Sequence, residues 1–134
     1  MKRALPVVDP AELGPPQGYA NGVVVPAGRR LLFVAGQIGW DAEQRFASDD
    51  FAAQVRQALA NVVAVLACAG ATPAHLVRMT WYVTSRDEYN ASLAEVGAAW
   101  RELIGRNFPA MSVVVVAGLL EPRAKVEIEA TAVV

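Results

Sequence analysis

Residues 125–133 alternate strictly between polar and apolar side chains, and this pattern constrains the fold more than any other feature of the sequence. One side carries Val126, Ile128, Ala130 and Ala132, and the other carries Lys125, Glu127, Glu129 and Thr131. Alternation with a period of two predicts a β-strand whose two faces meet different surroundings. The apolar face must pack against a second layer, and we expect that layer to consist of helices.

The remaining periodic segments predict two helices and further strands, in the order ββ-α-β-α-ββ. A first helix begins near Ser48 and ends at Gly70, and a second begins with Asp87 as its N-cap and ends at Gly105. The predicted strands are 23–25 and 31–35, joined as a hairpin across the loop 26–30, then 76–84, 111–117 and 125–133. Residues 1–22 are rich in proline and glycine and predict an irregular lead-in.

These elements predict a single two-layer α+β domain over residues 1–134. Its mixed sheet of about six strands carries two helices on one face. A chain of 134 residues suits one domain and leaves no room for two of ordinary size.

The chain is unusually apolar for its charge content. Hydrophobic residues make up 54% and charged residues only 19%, whereas about a quarter of a typical soluble domain is charged. No apolar run approaches the ~20 residues of a membrane helix, and Met1-Lys2-Arg3 precedes no signal-peptide core. We therefore expect a cytoplasmic protein, away from the membrane, that hides apolar surface in a homo-oligomer. An alanine-rich composition that merely inflates the hydrophobic count is the alternative.

Charge and residue counts argue against several kinds of partner. The net charge of −1, from 12 basic and 13 acidic residues, gives no general attraction to nucleic acid or anionic lipid. The one cysteine, Cys68, and the one histidine, His75, cannot form a disulfide framework or a site with two histidine ligands. We expect no metal, no cofactor and no nucleic-acid partner.

The polar face of the predicted sheet mixes charges with large apolar residues. Arg78 and Tyr82 alternate onto the same face as the two glutamates of the last strand. Such a surface suits a subunit interface, where charges should be paired because unpaired burial is costly. The available pairs join Arg78 or Lys125 to Glu127 or Glu129.

Several segments together resemble the RidA (YjgF-like) family of enamine and imine deaminases. The segments are GYANGV at 18–23, LFVAGQI at 32–38, QALANV at 57–62 with the Ala-Gly at 69–70, FPAMS at 108–112 and VEIEA at 126–130. The resemblance covers about residues 14–134 without a large gap, and it is specific in the order and spacing of its pieces. It implies a chorismate-mutase-like fold and a homotrimer with three clefts between subunits.

The resemblance also implies a chemistry and a set of site residues. Members hydrolyse reactive enamines and imines, such as 2-aminoacrylate, to keto acids and ammonia. Glu127 matches the glutamate that positions or activates water. Tyr19 and the backbone around Gly36 and Gln37 match the groups that complete the substrate pocket, which lies in a cleft between subunits.

This chain departs from the family pattern at the position that binds the substrate carboxylate. The family's arginine follows Phe-Pro-Ala, where this chain has Met111. Ala35 stands in place of the serine before the Gly-Gln pair, and Leu93 in place of an asparagine. We therefore predict an altered substrate range, with Met111 and Ala35 lining a site for a neutral, more apolar ligand.

Three functions remain open from the sequence. The first is a deaminase of altered substrate range, and the second is a non-catalytic small-molecule-binding or regulatory trimer on the same scaffold. The third, ribonuclease activity or translation inhibition, is disfavoured by the neutral charge.

Each site residue also has a plain structural reading. Glu127 could be an interface ion-pair partner, Met111 core packing, and Tyr19 an ordered hydroxyl at a strand start. Arg123 and Lys125 could replace the missing anion anchor or simply lie in a solvated turn.

Overall fold

The computed structural model describes residues 5–134, so the first four residues of the predicted lead-in lie outside the described part. Two short 3₁₀ turns, Ala11–Leu13 and Pro73–His75, accompany nine regular elements. These are β1 (Val7–Val8), β2 (Gly22–Val23), β3 (Leu31–Ile38), α1 (Phe51–Cys68), β4 (Leu76–Val83), α2 (Arg86–Ala91), α3 (Leu93–Leu103), β5 (Ala110–Val115) and β6 (Val126–Val133).

The main sheet has four strands in the order β3-β6-β4-β5, and it is mixed. Strand β6 pairs antiparallel with β3 on one side and with β4 on the other, whereas β4 and β5 run parallel. The alternating segment of the sequence is therefore an inner strand. Its apolar residues Val126, Ile128 and Ala132 are fully buried, as the alternation requires.

Helix α1 forms the centre of the helical layer. Asp50 caps its N-terminus by accepting from the backbone N–H of Ala53 at 3.0 Å. Its buried stripe, which includes Val55, Leu59 and Val62, belongs to the same core as the apolar residues of β4 and β6. This confirms the predicted two-layer α+β architecture with helices on one face.

The length and hydropathy of α1 are also those of a membrane-spanning helix. Its 18 residues have a mean hydropathy of 1.4, and 39% of that window is buried inside the fold. Core helices meet the same criteria, and α1 packs against β3, β6 and α3. Its apolar character is explained by that packing.

The second predicted helix is divided into two helices, α2 and α3, and α2 begins earlier than the sequence pattern indicates. Ser85, and not Asp87, is the N-cap of α2, because its hydroxyl accepts from the backbone N–H of Glu88 at 3.1 Å. Helix α2 ends at Ala91, and α3 starts after Ser92, whose backbone leaves helical geometry at φ −110° and ψ 11°. The first helix likewise starts at Phe51 rather than near Ser48.

The predicted hairpin between residues 23–25 and 31–35 is wrong. Val23 pairs with Val7 in a separate two-stranded sheet, and Val24 donates its N–H to the carbonyl of Pro6 at 2.9 Å. Strand β3 instead pairs with β6, starting at two reciprocal hydrogen bonds of 2.9 Å between Arg30 and Val134. The six strands thus divide into a four-stranded sheet and a two-stranded sheet.

A buried amide connects α1 to two loops at the same end of the sheet, one that follows β3 and one that precedes β6. Gln54 is 1% exposed, and its Nε2 donates to the carbonyls of Ser48 at 3.1 Å and Arg123 at 3.0 Å. Its Oε1 accepts from the N–H of Lys125 at 2.8 Å. These bonds satisfy backbone groups that have no ladder partner, so they fix where α1 starts and where β6 begins.

Gln54 of α1 also packs closely against Gly39, the residue after β3. This contact gives a testable prediction. A Cβ at Gly39 would lie 2.6 Å from Gln54 Cβ and 2.8 Å from its Cα. Because backbone cannot yield as a side chain can, we expect Gly39→Ala to lower the free energy of unfolding by about 2 kcal/mol or more. Urea unfolding followed by circular dichroism measures the loss.

Gly118→Ala is the matched control for this substitution. A Cβ at Gly118 would meet nothing within 4 Å, so we expect a change within about 0.5 kcal/mol. Equal unfolding midpoints for the two variants would contradict the close approach at Gly39.

Candidate functional site

The face of the sheet opposite the helices is uncovered in the single chain. The strand register brings Arg78, Thr80 and Tyr82 of β4 beside Thr131, Glu129 and Glu127 of β6. On β3 the same face carries Phe33, which is 73% exposed, and Leu31, which is 52% exposed. The predicted mixture of charge and apolar surface is therefore present on an open face.

A β-bulge interrupts β3 where the predicted site residues begin. Val34 pairs with Ala130 and Gln37 with Ile128, so Ala35 and Gly36 together oppose Glu129. Both bulge residues are exposed. Such two-against-one arrangements redirect nearby side chains, and here they turn Ala35 and Gly36 towards the open face.

The carboxylate of Glu127 lies directly over Gly36. A Cβ at Gly36 would be 2.5 Å from Glu127 Oε2 and 2.7 Å from its Cδ. Only glycine leaves this space free. The structure therefore brings together two of the predicted site residues, and the half-buried Glu127 side chain occupies the space above the bulge.

The two glutamates of β6 have different partners. Tyr82 donates its hydroxyl to Glu129 Oε1 at 2.6 Å. This hydrogen bond to a carboxylate, with a smaller contribution from desolvation, raises the pKa of Tyr82 above its usual 10.0. Within residues 5–134, Glu127 makes no hydrogen bond or ion pair, so its carboxylate is available on the open face.

Neither basic residue near the last strand is free to act as an anion anchor. Lys125 Nζ lies 2.7 Å from Glu88 Oε1. Arg123 forms a two-nitrogen contact with Asp49, at 3.1 and 2.8 Å, and its guanidinium lies 5.4 Å from the ring centre of Phe46. The predicted pairing of Glu127 with Lys125 is wrong within the single chain, and so is its pairing with Arg78, since Arg78 forms no ion pair in the described residues.

Tyr19 and Met111 line a different region, an apolar pocket on the helix side of the sheet beside β5. The pocket has a volume of about 770 Å³. Met111 is half-buried against the core. Tyr19 is held in place by its neighbour Ala20, whose N–H donates to the carbonyl of Pro109 at 3.0 Å. The aromatic part of the lining consists of Tyr19, Trp81, Tyr89, Trp100 and Phe108.

The predicted site residues therefore form two groups on opposite faces of the sheet. One group is Ala35, Gly36 and Glu127 at the bulge, and the other is Tyr19 and Met111 at the pocket. Gln37 belongs with neither, because its register partner Ile128 is a core residue and its amide donates to the carbonyl of Ala35 at 3.2 Å. A site that uses both groups needs two copies of the chain.

Sequence reasoning missed most of the pocket. Trp100 stacks on Phe108 with ring centres 6.2 Å apart and planes 7° apart, and this aromatic wall is absent from the site that the sequence predicts. Arg101 and Arg106 also line the pocket. The available signal was the position of these basic residues on either side of Gly105, where α3 ends near β5.

The acidic and basic groups do not assemble a metal site in the described part of the chain. Among residues 5–134, no three His, Cys, Asp or Glu side chains lie close enough together to hold a metal ion. The chemical groups of the candidate site are the free carboxylate of Glu127, the aromatic pocket and the arginines beside that pocket.

Comparison with known proteins places this arrangement in a family. A family model described as Endoribonuclease L-PSP matches residues 10–134. The chain is 36% identical over 124 residues to a RutC family protein of Haemophilus influenzae, with 92% of this chain and 90% of that protein covered. It is 35% identical over 124 residues to the 2-iminobutanoate/2-iminopropanoate deaminase of Salmonella typhimurium, with 92% and 91% covered.

The fold agrees with these sequence relationships. The crystal structure of YyfB, a Rid family protein of unknown function from Yersinia pestis, superposes with a TM-score of 0.87 at 35% identity. The superposition covers 98% of this chain and all of that one (100%). The chain therefore belongs to the RidA (YjgF-like) family, which the Endoribonuclease L-PSP model describes.

Proposed function

We propose that this protein is a deaminase that hydrolyses reactive imines and their enamine tautomers, with Glu127 as the residue that handles water. The observation that carries the proposal is the free carboxylate of Glu127 over the bulge at Gly36. The name of the Salmonella typhimurium relative, an iminobutanoate and iminopropanoate deaminase, supports the reaction class.

The chemistry needs one base and one water molecule. Glu127 accepts a proton from water as the water oxygen bonds to the imine carbon, and it passes this proton to the imine nitrogen, which gives a carbinolamine. The carbinolamine hydroxyl then gives its proton to Glu127, which passes it to the nitrogen. The C–N bond breaks, ammonia leaves and the carbon becomes a carbonyl. Because Glu127 makes no hydrogen bond or ion pair in the described residues, its oxygens are free to accept a proton from water.

We propose that the working unit is a homotrimer with its sites between subunits. The opposite-face placement of Glu127 and Met111 supports this assembly, because only a second copy could bring a carboxylate to the aromatic pocket. The exposed Phe33 and Leu31 on the open face supply apolar surface for such an interface. We also propose that this homotrimer is cytoplasmic.

We further propose that the substrate range differs from that of relatives with the carboxylate-binding arginine. Met111 brings no charge to the pocket, and the loss of a two-nitrogen guanidinium contact costs about 3 kcal/mol, or ~100-fold in affinity. Small imino acids are therefore poor substrates. The alternative function, a non-catalytic binding trimer, rests on the same substitution.

The first prediction concerns Glu127. We expect Glu127→Gln to lower kcat/KM for imine hydrolysis at least ~100-fold, because the amide cannot accept the proton from water. Ammonia release from imines that an amino-acid oxidase generates in situ measures turnover, and light scattering checks that the assembly is unchanged.

Glu129→Gln is the matched control, since this residue lies on the same strand face and can still accept from Tyr82. We expect it to retain most of the activity. Ligand binding by the wild type without any turnover would refute the deaminase and favour the binding protein.

The second prediction concerns the bulge. In Gly36→Ala the new methyl group displaces the Glu127 carboxylate, which can swing away because it is the flexible end of a side chain. We expect the free energy of unfolding to change by less than about 1 kcal/mol while kcat/KM falls at least ~10-fold. Unfolding and turnover are measured on the same preparation. Unchanged turnover would show that the position of Glu127 above Gly36 has no bearing on hydrolysis.

The third prediction concerns the missing anchor. Met111→Arg places a guanidinium where the family pattern has one, and we expect kcat/KM for the alanine-derived imine to rise at least ~10-fold. Met111→Gln is the matched control, because it is similar in length and polar but uncharged. An equal response of both variants would mean that charge at this position does not determine the use of small imino acids.

A further inference from the structure

The pocket beside β5 is large and aromatic, and this limits what can fill it. The Trp100–Phe108 stack forms one wall, and Trp81 lies 6.1 Å from Trp100 between ring centres. Leu93 and Met111 complete an apolar lining around a volume of about 770 Å³. A methyl group, the side chain of an alanine-derived imine, would leave most of this lining in contact with water. A ring or branched chain would cover it.

Two arginines at the same pocket have no partner in the described residues. Arg101 and Arg106 are exposed and line the cavity, and neither forms an ion pair or a side-chain hydrogen bond with residues 5–134. By contrast, Arg56 pairs with Glu102 and Lys125 pairs with Glu88.

Helix α3 is shaped to let one of these arginines lie over the pocket. A Cβ at Gly97 would be 3.4 Å from Arg101 Nη1, so the guanidinium rests against the bare backbone one turn earlier in the helix. Gly97 itself lines the cavity. One nitrogen of the exposed Arg101 side chain therefore lies beside a residue of the cavity lining.

The indole N–H groups cannot replace these arginines as ligand contacts. Nε1 of Trp81 and Nε1 of Trp100 have no hydrogen-bond partner, but both atoms are buried out of reach of the cavity surface. The polar groups that a ligand can meet at this pocket include the guanidiniums of Arg101 and Arg106.

We propose that the pocket selects imino acids with bulky aromatic or branched side chains and that Arg101 and Arg106 bind their carboxylate. The side chain lies among Trp81, Trp100 and Phe108, and the carboxylate reaches the two guanidiniums instead of the family's arginine, which is Met111 here. That the ligand is an imine rests on the proposed deaminase function. That it carries a bulky side chain and a carboxylate rests on the pocket alone.

Binding of stable analogues tests the pocket without hydrolysis. We expect 3-phenylpropanoate to bind the wild-type protein at least ~10-fold more tightly than propanoate, measured by the fluorescence of the pocket tryptophans or by calorimetry. The double variant Arg101→Gln/Arg106→Gln should weaken that binding at least ~10-fold. It should leave the binding of 3-phenylpropan-1-ol, which lacks the carboxylate, unchanged.

The control for net charge is Arg45→Gln, at a side chain that is 77% exposed in a distant loop. It should bind all three compounds as the wild type does. Equal affinity for the two acids, or equal losses for acid and alcohol in the double variant, would overturn the inference.

Hydrolysis then separates the two proposals. The imine that an amino-acid oxidase makes from phenylalanine carries the carboxylate, and the imine that an amine oxidase makes from phenethylamine does not. We expect the double variant to slow only the first, at least ~10-fold in kcat/KM. Selective binding without hydrolysis of any imine would refute the deaminase and leave the pocket assignment standing. Hydrolysis confined to the alanine-derived imine would refute the pocket assignment and support the deaminase.

Discussion

The four-stranded sheet has a helical layer on one face only, and the rest of the structure follows from this asymmetry. Large fully buried side chains on β4 and β6, such as Met79, Trp81 and Ile128, belong to the core that these strands share with α1. The opposite face has to be stable in water or against another protein, so it combines charges with Phe33 and Leu31. Because polar and apolar groups alternate along β6, neither face could exchange its role with the other without a slip in register.

The asymmetry also divides the chemical groups of the chain. A free carboxylate lies on the open face, where solvent or a second protein can reach it, and an aromatic cavity lies at the edge of the helical layer. Two glutamates on the open face have different surroundings although they are only two residues apart. Glu129 is engaged by the Tyr82 hydroxyl, whereas Glu127, two residues earlier, is placed over a glycine in a bulge and has no partner among residues 5–134.

The sequence predicts the fold class because periodicity reports which face of each element is buried. It assigns the faces of β4 and β6 correctly, and it recognises a family from the order of several short segments. The prediction fails where a residue far away in the sequence determines how a segment pairs. Val23 lies in an apolar run, 23–25, that predicts one strand of a hairpin. Its partner is Val7, which the local pattern does not indicate.

The candidate site shows the same division between local and long-range information. Gly36 and Glu127 are 91 positions apart, and only the β3–β6 register brings them together. The bulge itself has no sequence signature beyond the glycine. The sequence does not identify the arginines at the pocket for a related reason. A charged residue next to the apolar stripe of a helix is expected to be solvated, and only the position of the neighbouring strand shows that it borders a cavity.

The segment that carries Tyr19 joins the main sheet edge through a single isolated bridge between Ala20 and Ala110. Its strand β2 belongs to the small two-stranded sheet, which has little contact with the core. Few hydrogen bonds therefore join this wall of the cavity to the main sheet, and local opening is easiest for segments that make few bonds. The two sides of the cavity are thus encoded differently, because Trp81 and Trp100 belong to the core, whereas Tyr19 belongs to a segment outside it. A substitution at Tyr19 changes the cavity alone, whereas one at Trp81 or Trp100 changes the cavity and the core together.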